Sequence, residues 1–312
     1  MLKKIQSFFN PTDLSSFKKS LRPNLANHCL TNKLDQKTNW VLIGVPDDRG
    51  VRNNHGRAGA SQGPDSFRKF FYYHPIASVA PAKNSILDLG NFILHKDLEK
   101  SLDQLTEVTK TIYELGLKVL IVGGGHDIAY SEIAGAILSD KKTHHVLNID
   151  AHADVRALEK NNVITSGTPF YRLIKSSKLN FKGNQYHPFG LQKMSNSQVL
   201  LDFIKKNKID TYFLEEMTTD EEQKKYFLHL VKKISTHPWH FNIDLDGFSA
   251  NHAPGVSAPA SFGLHPNLIL NLKKLKNLKS LGIYELSPPY DEGEKTARLA
   301  AKLAYYTLSI CS

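Results

Sequence analysis

Four short apolar runs in this chain each stop at ionisable side chains, and that pattern restricts the possible folds more than any other. Residues 119–122 lead into Gly123-Gly124-Gly125-His126-Asp127, and residues 146–149 into Asp150-Ala151-His152-Ala153-Asp154. Residues 241–243 lead into Asp244-Leu245-Asp246, and residues 281–284 into Glu285. Short runs that are apolar throughout suit strands buried on both faces, as in a parallel sheet. The run 41–45, stopped by Pro46, reads as a first strand of the same kind. Helical spacing of apolar residues is clearest over 102–115, 197–206, 221–234, 267–275 and 294–308. Strands alternating with helices predict an α/β fold with a mostly parallel sheet covered on both faces. Ligands of such sheets bind beyond the carboxyl ends of the strands, so the four ionisable endings are expected to meet at one edge.

With 312 residues, 41% hydrophobic and 22% charged, the chain reads as one α/β domain over 1–312, its residues 1–40 forming a polar, proline-interrupted N-terminal segment. No stretch reaches the roughly 18 apolar residues of a membrane helix, and the first residues lack a signal peptide's apolar core, so a cytoplasmic location is expected. Lys and Arg number 40 against 30 Asp and Glu, a formal net charge of +10. The lysines are spread over polar stretches such as 205–208, 224–225 and 273–279, the pattern of solvated helix faces. No RNA-binding aromatic signature or zinc-finger spacing accompanies them, so neither a nucleic acid nor a membrane is an expected partner. Cys29 and Cys311 fit neither a disulfide framework nor a zinc spacing and read as ordinary thiols.

In an extended segment alternate side chains share a face, so Asp150, His152 and Asp154 are expected to point together, as are Asp244 and Asp246. With His126 they amount to four carboxylates and two imidazoles. Carboxylates crowded into a low-dielectric crevice raise one another's pKa and cost stability unless a cation neutralises them. Six donors exceed what one tetrahedral zinc ion uses and suit two divalent ions bridged by shared carboxylates. Oxygen-rich, thiolate-free ligation favours Mn2+ over Zn2+, with Fe2+, Co2+ and Ni2+ still compatible. Singly, the motifs have plainer uses: the glycines as a turn, Asp244 and Asp246 as helix caps. The glycine run lacks the spacing of a nucleotide-binding loop. His144, His145, His237 and His240 precede or lie within strands, away from this edge, and read as packing or surface residues.

In order and spacing, the three glycines with His126, Asp150-Ala151-His152-Ala153-Asp154, Asp244-Leu245-Asp246 and Glu285 resemble the ureohydrolase superfamily of arginases, agmatinases and formimidoylglutamases. The resemblance runs from residue 41 to the C-terminus. It implies a three-layer α/β/α, arginase-like fold, two Mn2+ per subunit and a homo-oligomer. It also implies that His126 and Asp154 bind one ion, His152 and Asp246 the other, and Asp150 and Asp244 both.

Three departures narrow the branch. Arginases and agmatinases usually continue the second Asp pair as D-x-D-x-x-D-P, whereas Ser249-Ala250 stand at the last two positions here. In Ser166-Gly167-Thr168-Pro169-Phe170, Phe170 occupies the place of an arginase histidine, so an arginase-like proton relay is not expected. The segment 49–60, followed by Gly63-Pro64, is similar to the G-V-R-x-N-x-G-R-x-G-A segment of formimidoylglutamases, and 253–259 is similar to theirs as well. Formimidoylglutamase is the branch this chain most resembles.

That branch implies hydrolysis of N-formimidoyl-L-glutamate to L-glutamate and formamide, in histidine degradation. The small-molecule substrate carries a cationic amidine at one end and two carboxylates at the other. Asp154 is the expected proton carrier and Glu285 the expected holder of the amidinium. Arg52 and Arg57, with Asn53 or Asn54, are expected to bind the carboxylates, unless that loop is a plain surface turn or a subunit contact. Ser166 and Thr168 are candidate hydrogen-bonding groups for substrate, or turn formers. An agmatinase or guanidinobutyrase-type guanidine hydrolase is the nearest alternative, and a non-catalytic metal-binding relative the next.

Overall fold

A computed structural model describes residues 5–15, 25, 30–31, 38–75 and 85–311. Among the described residues ten strands share one sheet. Their spatial order is β1 (Phe9–Asn10), β4 (Ser85–Phe92), β3 (Thr38–Gly44), β5 (Lys118–Val122), β10 (Leu278–Tyr284), β9 (Trp239–Asp244), β6 (His145–Ile149), β7 (Tyr186–Leu191) and β8 (Tyr212–Phe213). β2 (Leu30–Thr31) pairs with β4 off this path. Among the described strands only β1 runs antiparallel to its neighbour, and the other pairs are parallel.

The α-helices bounded among the described residues are α1 (Arg49–Asn53), α2 (Gly63–Phe71), α3 (Leu98–Glu114), α4 (Ala129–Asp140), α5 (Pro169–Lys175), α6 (Gln198–Lys206), α7 (Asp220–Ile234) and α8 (Lys295–Ile310). Strand alternation sends successive side chains to opposite faces and divides the core in two. Trp40, Leu42, Leu120 and Val122 pack with apolar residues of α2, α7 and α8. Val41, Ile43, Val119 and Ile121 pack with those of α3, α4, α5 and α6. Three layers result, α/β/α, as expected. Local signals set the helix starts: the Asp97 side chain accepts the Lys100 N–H ahead of α3, and Thr219 forms a capping box with Glu222 ahead of α7.

The expected helix over 267–275 is not there. Pro266–Asn271 forms a 3-10 helix and the backbone is extended at Leu272. Leu268, Ile269, Leu272 and Leu275 are all buried, so their helix-like spacing is met by a tight turn followed by an extended segment. The Leu275 N–H is bonded to the Ile310 carbonyl, which draws that segment onto the end of α8. The described parts of 1–40 are less polar in role than their composition suggests, since Ile5, Phe9 and Leu14 are buried. Cys29 lies outside the described residues, and Cys311 is a half-buried free thiol. Among the described residues no helix is long and apolar enough to cross a membrane.

This topology positions the site. β5, β10, β9 and β6 are consecutive neighbours, although the chain leaves β5 and resumes at β6 with β9 and β10 filling the gap later. Their register aligns Val122, Ile283, Ile243 and Ile149 at one level. The residues just beyond therefore share one crevice at a topological switch point.

β4 carries a buried charge in mid-strand. Asp88 accepts from Arg68 of α2 through Nη2 (3.0 Å) and Nε (3.1 Å), and from the Tyr72 hydroxyl. Removing one partner of a buried pair leaves the other charge unpaired, a loss of about 3–5 kcal/mol. Arg68→Met is expected to lower the unfolding free energy by that order, read from the urea midpoint and slope.

Candidate metal centre

Both aspartate motifs are built on the same turn. Asp150 directly follows β6, and its Oδ1 accepts the His152 N–H (2.6 Å). Asp244 closes β9, and its Oδ1 accepts the Asp246 N–H (2.9 Å). Each carboxylate closes the backbone onto the residue two positions on, a common use of Asp. This corrects the expected geometry: beyond Ile149 the chain is not extended strand, and the side chains converge because it turns. Asp244 also caps the 3-10 turn Leu245–Gly247, so capping and the site use different oxygens of one carboxylate. Asp154 and Glu285 both have left-handed backbone, φ 49 and 65, a strain that clusters at functional sites.

The glycine run allows close approach. A Cβ on Gly124 would lie 1.9 Å from the Asp47 carbonyl oxygen, and that carbonyl accepts the Gly125 N–H (2.9 Å). Gly124 in turn accepts the Glu285 N–H (2.9 Å), while Glu285 Oε1 accepts the His126 N–H (3.0 Å). The ends of β5 and β10 are thereby tied together.

His126 Nδ1 lies 3.3 Å from Asp150 Oδ2, 2.9 Å from Asp154 Oδ2 and 3.1 Å from Asp244 Oδ2. One ring nitrogen carries at most one proton, so it cannot satisfy three carboxylates. His152 Nδ1 lies 3.1 Å from Asp246 Oδ2. The donor atoms of His126, Asp150, Asp154 and Asp244 lie within 4.8 Å of one another, as do those of Asp150, His152 and Asp246. Asp150 is common to both sets, whereas Asp244, expected to serve both, groups with the first.

Burial, reinforced by the charge of Asp150, raises the Asp154 carboxyl above its usual range. Burial with Asp246 nearby does the same to Asp244 and Glu285. Burial also opposes the charge of Asp150, but His126 and His152 outweigh it and hold that carboxyl low. Asp246 Oδ1 and Glu285 Oε2 are buried and take no hydrogen bond from any described residue. The same carboxylates push His126, against its burial, and His152 towards the protonated form. Crowded carboxylates, imidazoles so perturbed and orphaned oxygens fit divalent cations, which would take the place of those protons and neutralise the repulsion.

A cavity of about 390 Å³ opens above Asp154, Asp244, Asp246 and Glu285. Of the residues expected to bind substrate, Asn54, Arg57 and Ser166 line it. Arg57 is already engaged, giving Nε to the Ser257 carbonyl (2.9 Å) and Nη2 to that of Val256 (2.7 Å), with its guanidinium over the Tyr290 ring. Arg52, Asn53 and Thr168, also expected to bind substrate, do not line the cavity. Arg52 pairs one turn away with Asp48, its side chain 58% exposed. The Asn53 amide donates to the Ile164 carbonyl (2.8 Å), and the buried Thr168 hydroxyl to that of Thr165 (2.7 Å). The sequence reading missed Arg156, which lines the cavity and makes no ion pair among the described residues. Its signal was plain adjacency, two positions beyond Asp154 on the same loop. Phe170 is buried and does not line the cavity, and its ring stands nearly perpendicular to that of His126, with centroids 5.5 Å apart.

A model of the arginase family matches residues 38–309. The chain belongs to the arginase family. It is 32% identical over 322 residues to a formimidoylglutamase of Staphylococcus aureus (strain bovine RF122 / ET3-1), which spans 98% of this chain and 93% of that protein. A Trypanosoma cruzi formiminoglutamase solved with Mn2+ superposes with a TM-score of 0.79 at 24% identity, covering 96% of this chain and 98% of that one. A formimidoylglutamase from Bacillus subtilis gives 0.78 at 24% identity, covering 90% and 89%. At that identity the two structures speak for the fold, the three-layer arginase-like one. The resemblance drawn from the motifs is borne out, and the chain is a metal-dependent hydrolase of the arginase family.

Because Asp150 belongs to both donor sets, Asp150→Asn is expected to remove bound metal from both. Elemental analysis of the dialysed variant checks this, and full metal retention would contradict the shared role.

Proposed function

We propose that this chain hydrolyses N-formimidoyl-L-glutamate to L-glutamate and formamide, with two Mn2+ per subunit. The observation that carries the reading is the polarity of the cavity: acidic groups at its floor, and on its wall Arg156, which has no ion-pair partner among the described residues. A substrate cationic at one end and anionic at the other matches that polarity. The 32% identity to a protein named formimidoylglutamase supports the same choice. His126, Asp150, Asp154 and Asp244 would hold one ion, and Asp150, His152 and Asp246 the other. When bound, such a pair of cations supplies Lewis acidity and makes water a nucleophile at neutral pH.

The chain's own groups do the remainder. Glu285 Oε2 accepts from the amidinium and holds its carbon in line for attack. Asp154 takes the proton that water loses and passes it to the departing nitrogen, a transfer that needs hydrogen-bond contact. Arg156 receives a substrate carboxylate, and Asn54 and Ser166, bonded to each other at 3.2 Å, offer hydrogen bonds beside it. The role in histidine degradation, a cytoplasmic location, a single domain and a homo-oligomeric state belong to the same proposal.

A substrate panel with Mn2+-reconstituted protein tests the reading. Formamide release from N-formimidoyl-L-glutamate is expected; urea release from agmatine or guanidinobutyrate without formamide would overturn it. A metal-stabilised protein with no turnover would mark a non-catalytic relative. Arg156→Ala is expected to raise KM by about 10-fold or more with kcat little changed, since it removes a charge-assisted contact made equally in ground and transition states. Steady-state kinetics on the same substrate checks this.

A further inference from the structure

Glu132 of α4 is wholly buried in the sheet–helix layer and has no Lys or Arg partner among the described residues. Its Oε2 accepts from the Tyr284 hydroxyl and from Asn242 Nδ2 (3.1 Å), and its Oε1 accepts from the Ser280 hydroxyl. A Cβ on Gly282 would collide with both the Tyr284 hydroxyl and the Glu132 carboxylate, so glycine there admits the contact. The reaction proposed above uses none of these groups.

One of them, Tyr284, touches His126. The Tyr284 ring lies against the His126 imidazole with centroids 4.9 Å apart and planes at 24°. A metal-binding histidine is usually oriented by a hydrogen bond from its second ring nitrogen. His126 lacks that device: among the described residues no group bonds its Nε2. Two aromatic rings flank it instead, Tyr284 stacked on it and Phe170 nearly perpendicular to it. Of the two, only Tyr284 has a polar end that can be tethered.

We propose that Glu132 is a positioning residue for the metal centre: it holds the Tyr284 hydroxyl, so that the ring stacked on His126 keeps that imidazole aimed at Asp150, Asp154 and Asp244. This rests on the reading of the cluster as a two-cation site. The tether replaces the missing hydrogen bond on Nε2, and its loss loosens the ion that His126 binds.

Mn2+ titration of the full chain, followed by electron paramagnetic resonance, tests the proposal in wild type, Tyr284→Phe and Glu132→Gln, with the Tm of each metal-free protein recorded. Loss of groups that orient a metal ligand costs about 10–100-fold in affinity. Tyr284→Phe keeps the ring and removes only the tethered hydroxyl, so it is expected to weaken one of the two Mn2+ equivalents by about 10-fold or more, with excess Mn2+ restoring kcat. It also decides the matter if Glu132→Gln fails to fold. A Tyr284→Phe protein of lowered Tm but wild-type Mn2+ affinity at both equivalents would show a purely structural role and overturn the proposal, leaving the two-cation site intact. A wild-type chain that binds no Mn2+ would sink both readings together.

Discussion

Repulsion among buried carboxylates is the constraint on which the rest of this structure depends. Asp150, Asp154 and Asp244 bring an oxygen to within 3.3 Å of one imidazole nitrogen, in a place largely closed to solvent. Such a cluster is unfavourable for a chain without a counter-charge, so each member has to be held by something other than its charge. Backbone N–H groups hold Asp150 and Asp244, and Asn148 Nδ2 adds a second bond to Asp150 (3.0 Å). Four adjacent parallel strands supply the frame, because their shared register delivers these residues to one level without long loops.

The floor of the site was legible in the sequence because its donors come directly after apolar runs, where the chain has no freedom to carry them elsewhere. The strand partners were less so. β4 is interrupted by Asp88 and by Gly90 with φ +90, and β7 contains His187, Pro188 and Gly190, also at φ +90. Each is a breaker by composition that tertiary partners tolerate, as the Arg68 pair does for Asp88. At 267–275 the spacing of four buried residues was read as a helix, and burial alone was what it recorded.

The walls of the cavity were legible only in part, because they are assembled from loops distant in sequence. Asn54 meets Ser166 across 112 positions, and Arg57 reaches Ser257 across 200. Nothing local announces such meetings. Arg52 shows the converse, since its partner Asp48 sits one helical turn away and takes it out of the cavity.

The divided duty of Asp150 and Asp244 has an implication for how these motifs can change. In each, one oxygen fastens the chain to itself and the other faces the imidazole, at a spacing set by a single methylene. Glutamate offers the same charge on a longer lever, which reaches the imidazole only by releasing the amide, or keeps the amide only by overshooting the imidazole. Homologous acids are thus not interchangeable at these two positions, even though the electrostatics alone would permit the swap.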